Sequence, residues 1–109
     1  MIHKTFVETN RRPVARVTFI LPNSIWAETI YLVGDFNDWN VKSHPFQRDR
    51  EGQWILSVDL ELGHAYQFRY LRDGIGWMYD MQADAYVPNP CGHENFVVVT
   101  DPEFEPHYD

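Results

Sequence analysis

An all-β sandwich is the fold that this 109-residue sequence predicts, on three observations. The hydrophobic periodicity that recurs along the chain is two rather than 3.6. Short clusters of Gly, Pro, Asn and Asp interrupt it at regular intervals, as turns do. Seven Phe, six Tyr and four Trp suit sheets whose faces pack large rings.

The opening MIHKTFVETNRRP, residues 1–13, is polar and reads as an N-terminal strand or arm. ARVTFIL then sets Ala15, Val17, Phe19 and Leu21 on one side and Arg16, Thr18 and Ile20 on the other, a half-buried strand. A turn follows at 21–23, and Trp26 beyond it is expected to be partly buried at an end of the sandwich. ETIYLVG is more continuously apolar and predicts a central strand. WILSVDL alternates with Trp54 in the parity of Leu56, Val58 and Leu60, so Trp54 is assigned to the core. YQFRYL places Tyr66, Phe68 and Tyr70 on one face and Gln67 on the other. NFVVVT is a β-branched run, with Asn95 in the polar turn just before it. Turns at 50–52, 62–64, 72–74 and 88–90 separate these segments, and no window offers a helix cap followed by an amphipathic stripe. About six or seven such strands in one domain read as a sandwich of immunoglobulin-like type. The body of the domain spans 14–100, and DPEFEPHYD, 101–109, forms an acidic tail expected to be solvated.

A net charge of −7 with scattered Lys and Arg argues against nucleic acid and anionic membranes as partners. The lone Cys91 excludes a disulfide framework and a Cys-rich zinc site. The N-terminus is too polar for a signal peptide, and no apolar run reaches membrane-helix length. The expected location is cytoplasmic.

Candidate chemistry is thin. DFNDWN offers alternating oxygens as a calcium loop does, but it has Trp39 at the fifth position, Asn40 rather than Gly at the sixth and Phe46 rather than Glu at the twelfth. The five histidines, at 3, 44, 64, 93 and 107, lack paired ligand spacing, so no metal and no cofactor is expected. Asp35, Asp38, Asp73, Asp80 and Asp84 are available as acids for glycoside hydrolysis, yet no spacing selects a pair. A serine near His44 lacks the glycine-flanked nucleophile turn. No catalytic residue is assigned.

Trp39 and Trp77 stand apart, each the first large ring after a polar turn, GDFND and RDGIG. Two such rings in loops that a sandwich brings together predict a binding surface. A glucose ring suits it, because its C–H face stacks on an indole while its hydroxyls need donors and acceptors together. Gln67 and Asn95 supply both in one side chain each.

The ordered motifs VGDFNDW, EGQW, LGHAYQFRYLRDG and VPNPCGHENFVVV, over about residues 14 to 100, resemble the early-set domain at the N-terminus of isoamylases and starch-branching or debranching enzymes. They are similar also to the glycogen-binding domain of the AMP-activated protein kinase beta subunit, grouped with them as family 48 carbohydrate-binding modules. The resemblance implies an immunoglobulin-like early-set sandwich that binds α-1,4-linked glucan, polymeric or as maltooligosaccharide. By motif, the tryptophan of G-x-F-N-x-W falls on Trp39, the tryptophan after the D-G turn on Trp77 and the asparagine after the late glycine on Asn95. The polar middle of Y-x-F falls on Gln67, where the kinase-type pattern has lysine, and an additional Ile75-Gly76 step in the D-G turn is expected to rotate Trp77 away from Trp39. A chain of this length looks like the stand-alone bacterial members of the group. The expected function is non-catalytic glucan binding. The alternatives are a protein-interaction or scaffolding domain and an accessory subunit of a glucan-processing hydrolase.

Overall fold

A computed structural model describes residues 2–9, 12–78, 83–89 and 94–103. Cys91, His93, Asp80 and the tail beyond 103 lie outside these. The described residues form β1 (Ile2–Glu8), β2 (Pro13–Leu21), β3 (Ile30–Gly34), a single 3-10 turn (Asp35–Asn37), β4 (Gln47–Arg48), β5 (Trp54–Glu61), β6 (Ala65–Arg72), β7 (Gly76–Met78), β8 (Ala85–Pro88) and β9 (Glu94–Val99). Two antiparallel sheets pack as a sandwich. The first has the order β1-β2-β5-β4; the second has the order β3-β6-β9-β8, with β7 paired to the far half of β6.

Register explains how the alternating sequence closes a core. Ala15 faces Leu60, Val17 faces Val58, Phe19 faces Leu56 and Leu21 faces Trp54, so both strands turn the same parity inward. Phe68 and Tyr70 come from β6 to meet them, with Ile30, Leu32, Phe96 and Val98. The rings lock edge to face: Phe19 on Phe68 at 5.2 Å, Phe68 on Phe96 at 5.7 Å and Phe46 on Tyr70 at 5.7 Å. Trp54 is only 4 % exposed, and its indole N–H donates to the Ile25 carbonyl at 3.4 Å, so the core assignment holds. Lys4 and Asp84 tie the first sheet to the second at 2.6 Å, and Asp84 also accepts the Val99 backbone N–H at 2.7 Å.

Four expectations need correction. β3 lies at the edge of its sheet rather than at its centre. Its continuous apolarity reflects burial on both faces. The outer edge is itself covered: the Leu32 N–H donates to the His44 carbonyl at 2.9 Å, and the Phe46 N–H to the Ile30 carbonyl at 2.8 Å. The described residues form nine strands rather than six or seven, because β4, β7 and β8 have two to four residues each, too few to show a period. Asn95 lies within β9 opposite Val87, not in a turn before it. Trp26, expected to be partly buried, is 89 % exposed.

Candidate functional site

The segment GDFNDW, 34–39, builds a support from five residues and places a ring on it. Gly34 ends β3 where the chains come closest, because a β-carbon there would stand 2.5 Å from the Gln67 carbonyl oxygen and 2.8 Å from Phe68 Cβ. Asp35 follows at the point where β3 stops pairing with β6. One carboxylate oxygen accepts the Gln67 backbone N–H at 2.7 Å, which continues the ladder, and the other accepts the Trp39 indole N–H at 3.0 Å. Phe36 turns inward against Tyr66 and His44. Asn37 is the hub: its Oδ1 accepts the Gly34 N–H at 3.0 Å, and its Nδ2 reaches the Leu32 carbonyl at 3.0 Å and Ser43 Oγ at 3.0 Å.

Asp38 and Trp39 then take left-handed backbone, with φ of 54° and 58°. Aspartate tolerates this region, but a bulky ring does so at a cost of about 1 to 3 kcal/mol. The Trp39 N–H donates to the Gly34 carbonyl at 2.9 Å, so the strained turn is held from both ends of the residue. The residue is half-buried.

Trp77 arrives from the other side. Asp73 and Gly74 adopt φ of 52° and 75°, the left-handed pair of a tight hairpin, and return the chain so that Trp77 pairs with Leu71. Asp73 also accepts the backbone N–H groups of Glu28, at 2.8 Å, and Thr29, at 3.0 Å. These bonds, led by the one from Thr29, hold its carboxyl below the usual carboxylate range. The hairpin is thereby pinned to the β2–β3 loop. Trp77 is 43 % exposed, and the Arg69 guanidinium sits 4.8 Å from its ring centre. Arg69 Nε is buried and has no hydrogen-bond partner among the described residues.

Between the two tryptophans runs the outward face of the second sheet. Gln67, Arg69 and Leu71 share it on β6, with Val33 opposite Arg69, Val97 opposite Gln67 and Asn95 two residues before Val97. Asn95 Nδ2 donates to Gln67 Oε1 at 3.1 Å, and Asn89 Nδ2 donates to Asn95 Oδ1 at 3.1 Å. The two amides assigned from sequence are thus joined directly in a chain of three. Trp39 and Trp77 make no ring contact. Trp39 is anchored at the Gln67 position of β6 and Trp77 at the Leu71 position, four residues or about 13 Å along the strand.

Sequence reasoning missed Asp35 as the bracket for Trp39, since an acid beside Gly and Asn is an ordinary turn residue. It also passed over Arg69, whose parity with Gln67 places it on the same face and was the available signal. Among the described residues no cluster of three His, Cys, Asp or Glu side chains is gathered for a metal ion.

Residues 15–90 match the family described as carbohydrate-binding module 48 (isoamylase N-terminal domain). The chain is similar to the 1,4-alpha-glucan branching enzyme of Photobacterium profundum, 36 % identical over 78 residues, and to that of Synechococcus sp., 36 % identical over 81 residues. These stretches cover 69 % and 72 % of this chain and 10 % of each enzyme. A shorter stretch of 32 residues, 29 % of this chain and 5 % of the enzyme, is 53 % identical to the 1,4-alpha-glucan-branching enzyme of Dictyostelium discoideum. The chain therefore corresponds to a tenth or less of the length of these relatives. With its two-sheet sandwich and the match over most of its length, the chain belongs to the carbohydrate-binding module 48 family.

Proposed function

We propose that the protein is a non-catalytic module that binds α-1,4-linked glucan by stacking sugar rings on Trp39 and Trp77, with Gln67 and Asn95 hydrogen-bonding the hydroxyls. The observation that carries this reading is the left-handed backbone of Trp39, held by hydrogen bonds at its amide and its indole while the residue stays only half-buried. Strain of that kind persists where the surrounding structure over-determines it, and it clusters at active and ligand-binding sites. The family and the branching-enzyme relatives supply the ligand class.

The polar groups between the rings suit sugar hydroxyls. Gln67 uses its oxygen on Asn95, which leaves its NH2 group to donate outward. Arg69 offers further donors beside Trp77. Binding is expected to be weak, with Kd on the order of 0.1 to 1 mM, because an open face excludes little water and each hydroxyl exchanges one partner for another.

The non-catalytic reading is supported by what three of the candidate acids do. Asp35 serves Trp39 and Gln67, Asp73 serves Glu28 and Thr29, and Asp84 serves Lys4 and Val99. Each is engaged in holding the structure together, and none pairs with another across a cleft. Native electrophoresis in gels with and without glycogen tests the reading, accompanied by a reducing-end assay on maltoheptaose. Retardation by glycogen without release of reducing ends is the expected result. Unaltered mobility would overturn the binding reading and favour a protein-docking role, and reducing-end release lost in an Asp→Asn variant would overturn the non-catalytic one.

A further inference from the structure

Trp26 is exposed without belonging to the face just described. It lies on the β2–β3 loop at 89 % exposure, beside an open hollow of about 290 Å3 lined by Asn23, Ile25, Trp26, Ala27 and Arg48. We propose that this hollow is a second, independent α-glucan subsite that takes one sugar ring on the Trp26 indole.

The walls are fixed in place. The Ile25 N–H donates to the Pro22 carbonyl at 3.2 Å, and the Ile25 carbonyl accepts the Trp54 indole at 3.4 Å. Asn23 Nδ2 donates to the Glu51 carbonyl at 3.2 Å, which leaves its Oδ1 to accept from a ligand. Arg48 lies 4.2 Å over the Trp54 ring, and its Nη1 reaches the Gly52 carbonyl at 3.4 Å. Its remaining N–H groups supply donors. An indole face, an amide acceptor and guanidinium donors around one hollow match the C–H face and hydroxyls of a pyranose. A protein partner would call for a broader apolar wall. The volume falls at the small end of ligand cavities, which suits a single ring rather than a long chain.

Position makes the subsite independent. The hollow is built from the β2–β3 loop and β4, the edge strand of the first sheet, whereas Gln67, Arg69 and Trp77 face outward from the second. A branched polymer offers several chains and gains from engaging both places at once. The ligand class here rests on the α-glucan reading above, so the experiment separates the two claims.

The test is titration of indole-labelled protein with maltotriose, in the wild type and in a Trp39→Gly/Trp77→Ala double variant, followed by NMR. The Trp26 indole is expected to shift along its own isotherm and to keep doing so in the double variant. Trp26→Ala is expected to weaken retention on glycogen a few-fold while leaving the maltotriose shifts of Trp39 and Trp77 unchanged. Response at Trp39 and Trp77 with Trp26 silent would overturn the second subsite and leave the first reading intact. Response at Trp26 alone would support the subsite and overturn the platform, and silence at all three would overturn both. A Trp26 response lost in the double variant would show one site, not two.

Discussion

On the first sheet, the outward positions of β2 and β5 set Arg16 against Asp59, bonded at 2.8 and 3.1 Å, and Thr18 against Ser57 at 2.8 Å. On the second sheet the same outward parity carries Val33, Leu71 and Val97, which are 1 %, 4 % and 5 % exposed, together with Gln67, Arg69, Asn95 and Trp77. The first arrangement is that of a solvated face, with polar pairs that satisfy each other. The second is an apolar floor bearing rings and amides, the composition of a contact surface. Both faces come from period-two strands, so periodicity alone does not tell them apart.

Substitutions distinguish the core from that surface. The largest effect is expected for Trp54→Ala, about 3 to 5 kcal/mol, as for other large-to-small changes in packed cores. At about 4 to 8 °C per kcal/mol for a domain this size, thermal melting should fall by more than 10 °C. Calorimetry checks it, and a shift of only a few degrees would show Trp54 to be dispensable. Gly34→Ala comes next, at about 1 to 3 kcal/mol, since its β-carbon would meet Gln67 and Phe68 and force the GDFNDW support to move. Loss of glycogen retention with this destabilisation would tie the support to the surface. Trp77→Ala should leave melting nearly unchanged while raising the maltoheptaose Kd at least tenfold by NMR titration, because a few anchors dominate a contact surface. Equal melting losses for Trp54→Ala and Trp77→Ala would erase the distinction between core and surface.

Acid gives the smallest expected effect. The Asp59 carboxyl is held low first by its hydrogen bond from Arg16, and that of Asp73 by the backbone N–H groups of Thr29 and Glu28. A carboxyl lower in the folded than in the unfolded protein stabilises the fold above its unfolded value, near pH 4, and that contribution fades as pH falls through the folded value. Stability should therefore slope downward below about pH 4. In Asp59→Asn and Asp73→Asn variants the slope should flatten, as measured by denaturation across pH 2 to 5. Asp59→Asn lies on the solvated sheet and should leave glycogen retention unchanged.

The core strands were legible because each alternates over enough residues to fix a face: Ala15 to Leu21, Trp54 to Leu60 and Tyr66 to Tyr70 all turn their apolar parity inward. The edge position of β3 was hidden because burial on both faces gives the same apolar run whether the next neighbour is a strand or the 44–46 segment. Gln67 and Asn95 could be named as polar groups with outward parity or loop context. Their direct hydrogen bond depends on cross-strand register, which no single strand reveals. Trp26 was misjudged because the sequence shows a ring after a turn but not the direction in which the loop sends it. Asp35 acts through a backbone N–H thirty-two residues away, an interaction set by tertiary closure.

The most direct test of the central claim, that Trp39 is held in strain to present its ring, is Trp39→Gly. Glycine accepts φ near 58° without penalty, so the backbone strain is relieved while the ring is lost. Melting temperature and maltoheptaose affinity should be measured on the same preparation. The account predicts melting within a few degrees of wild type or above it, with at least a tenfold loss of affinity. A large drop in melting temperature with affinity retained would show that Trp39 packs the fold and does not bind sugar.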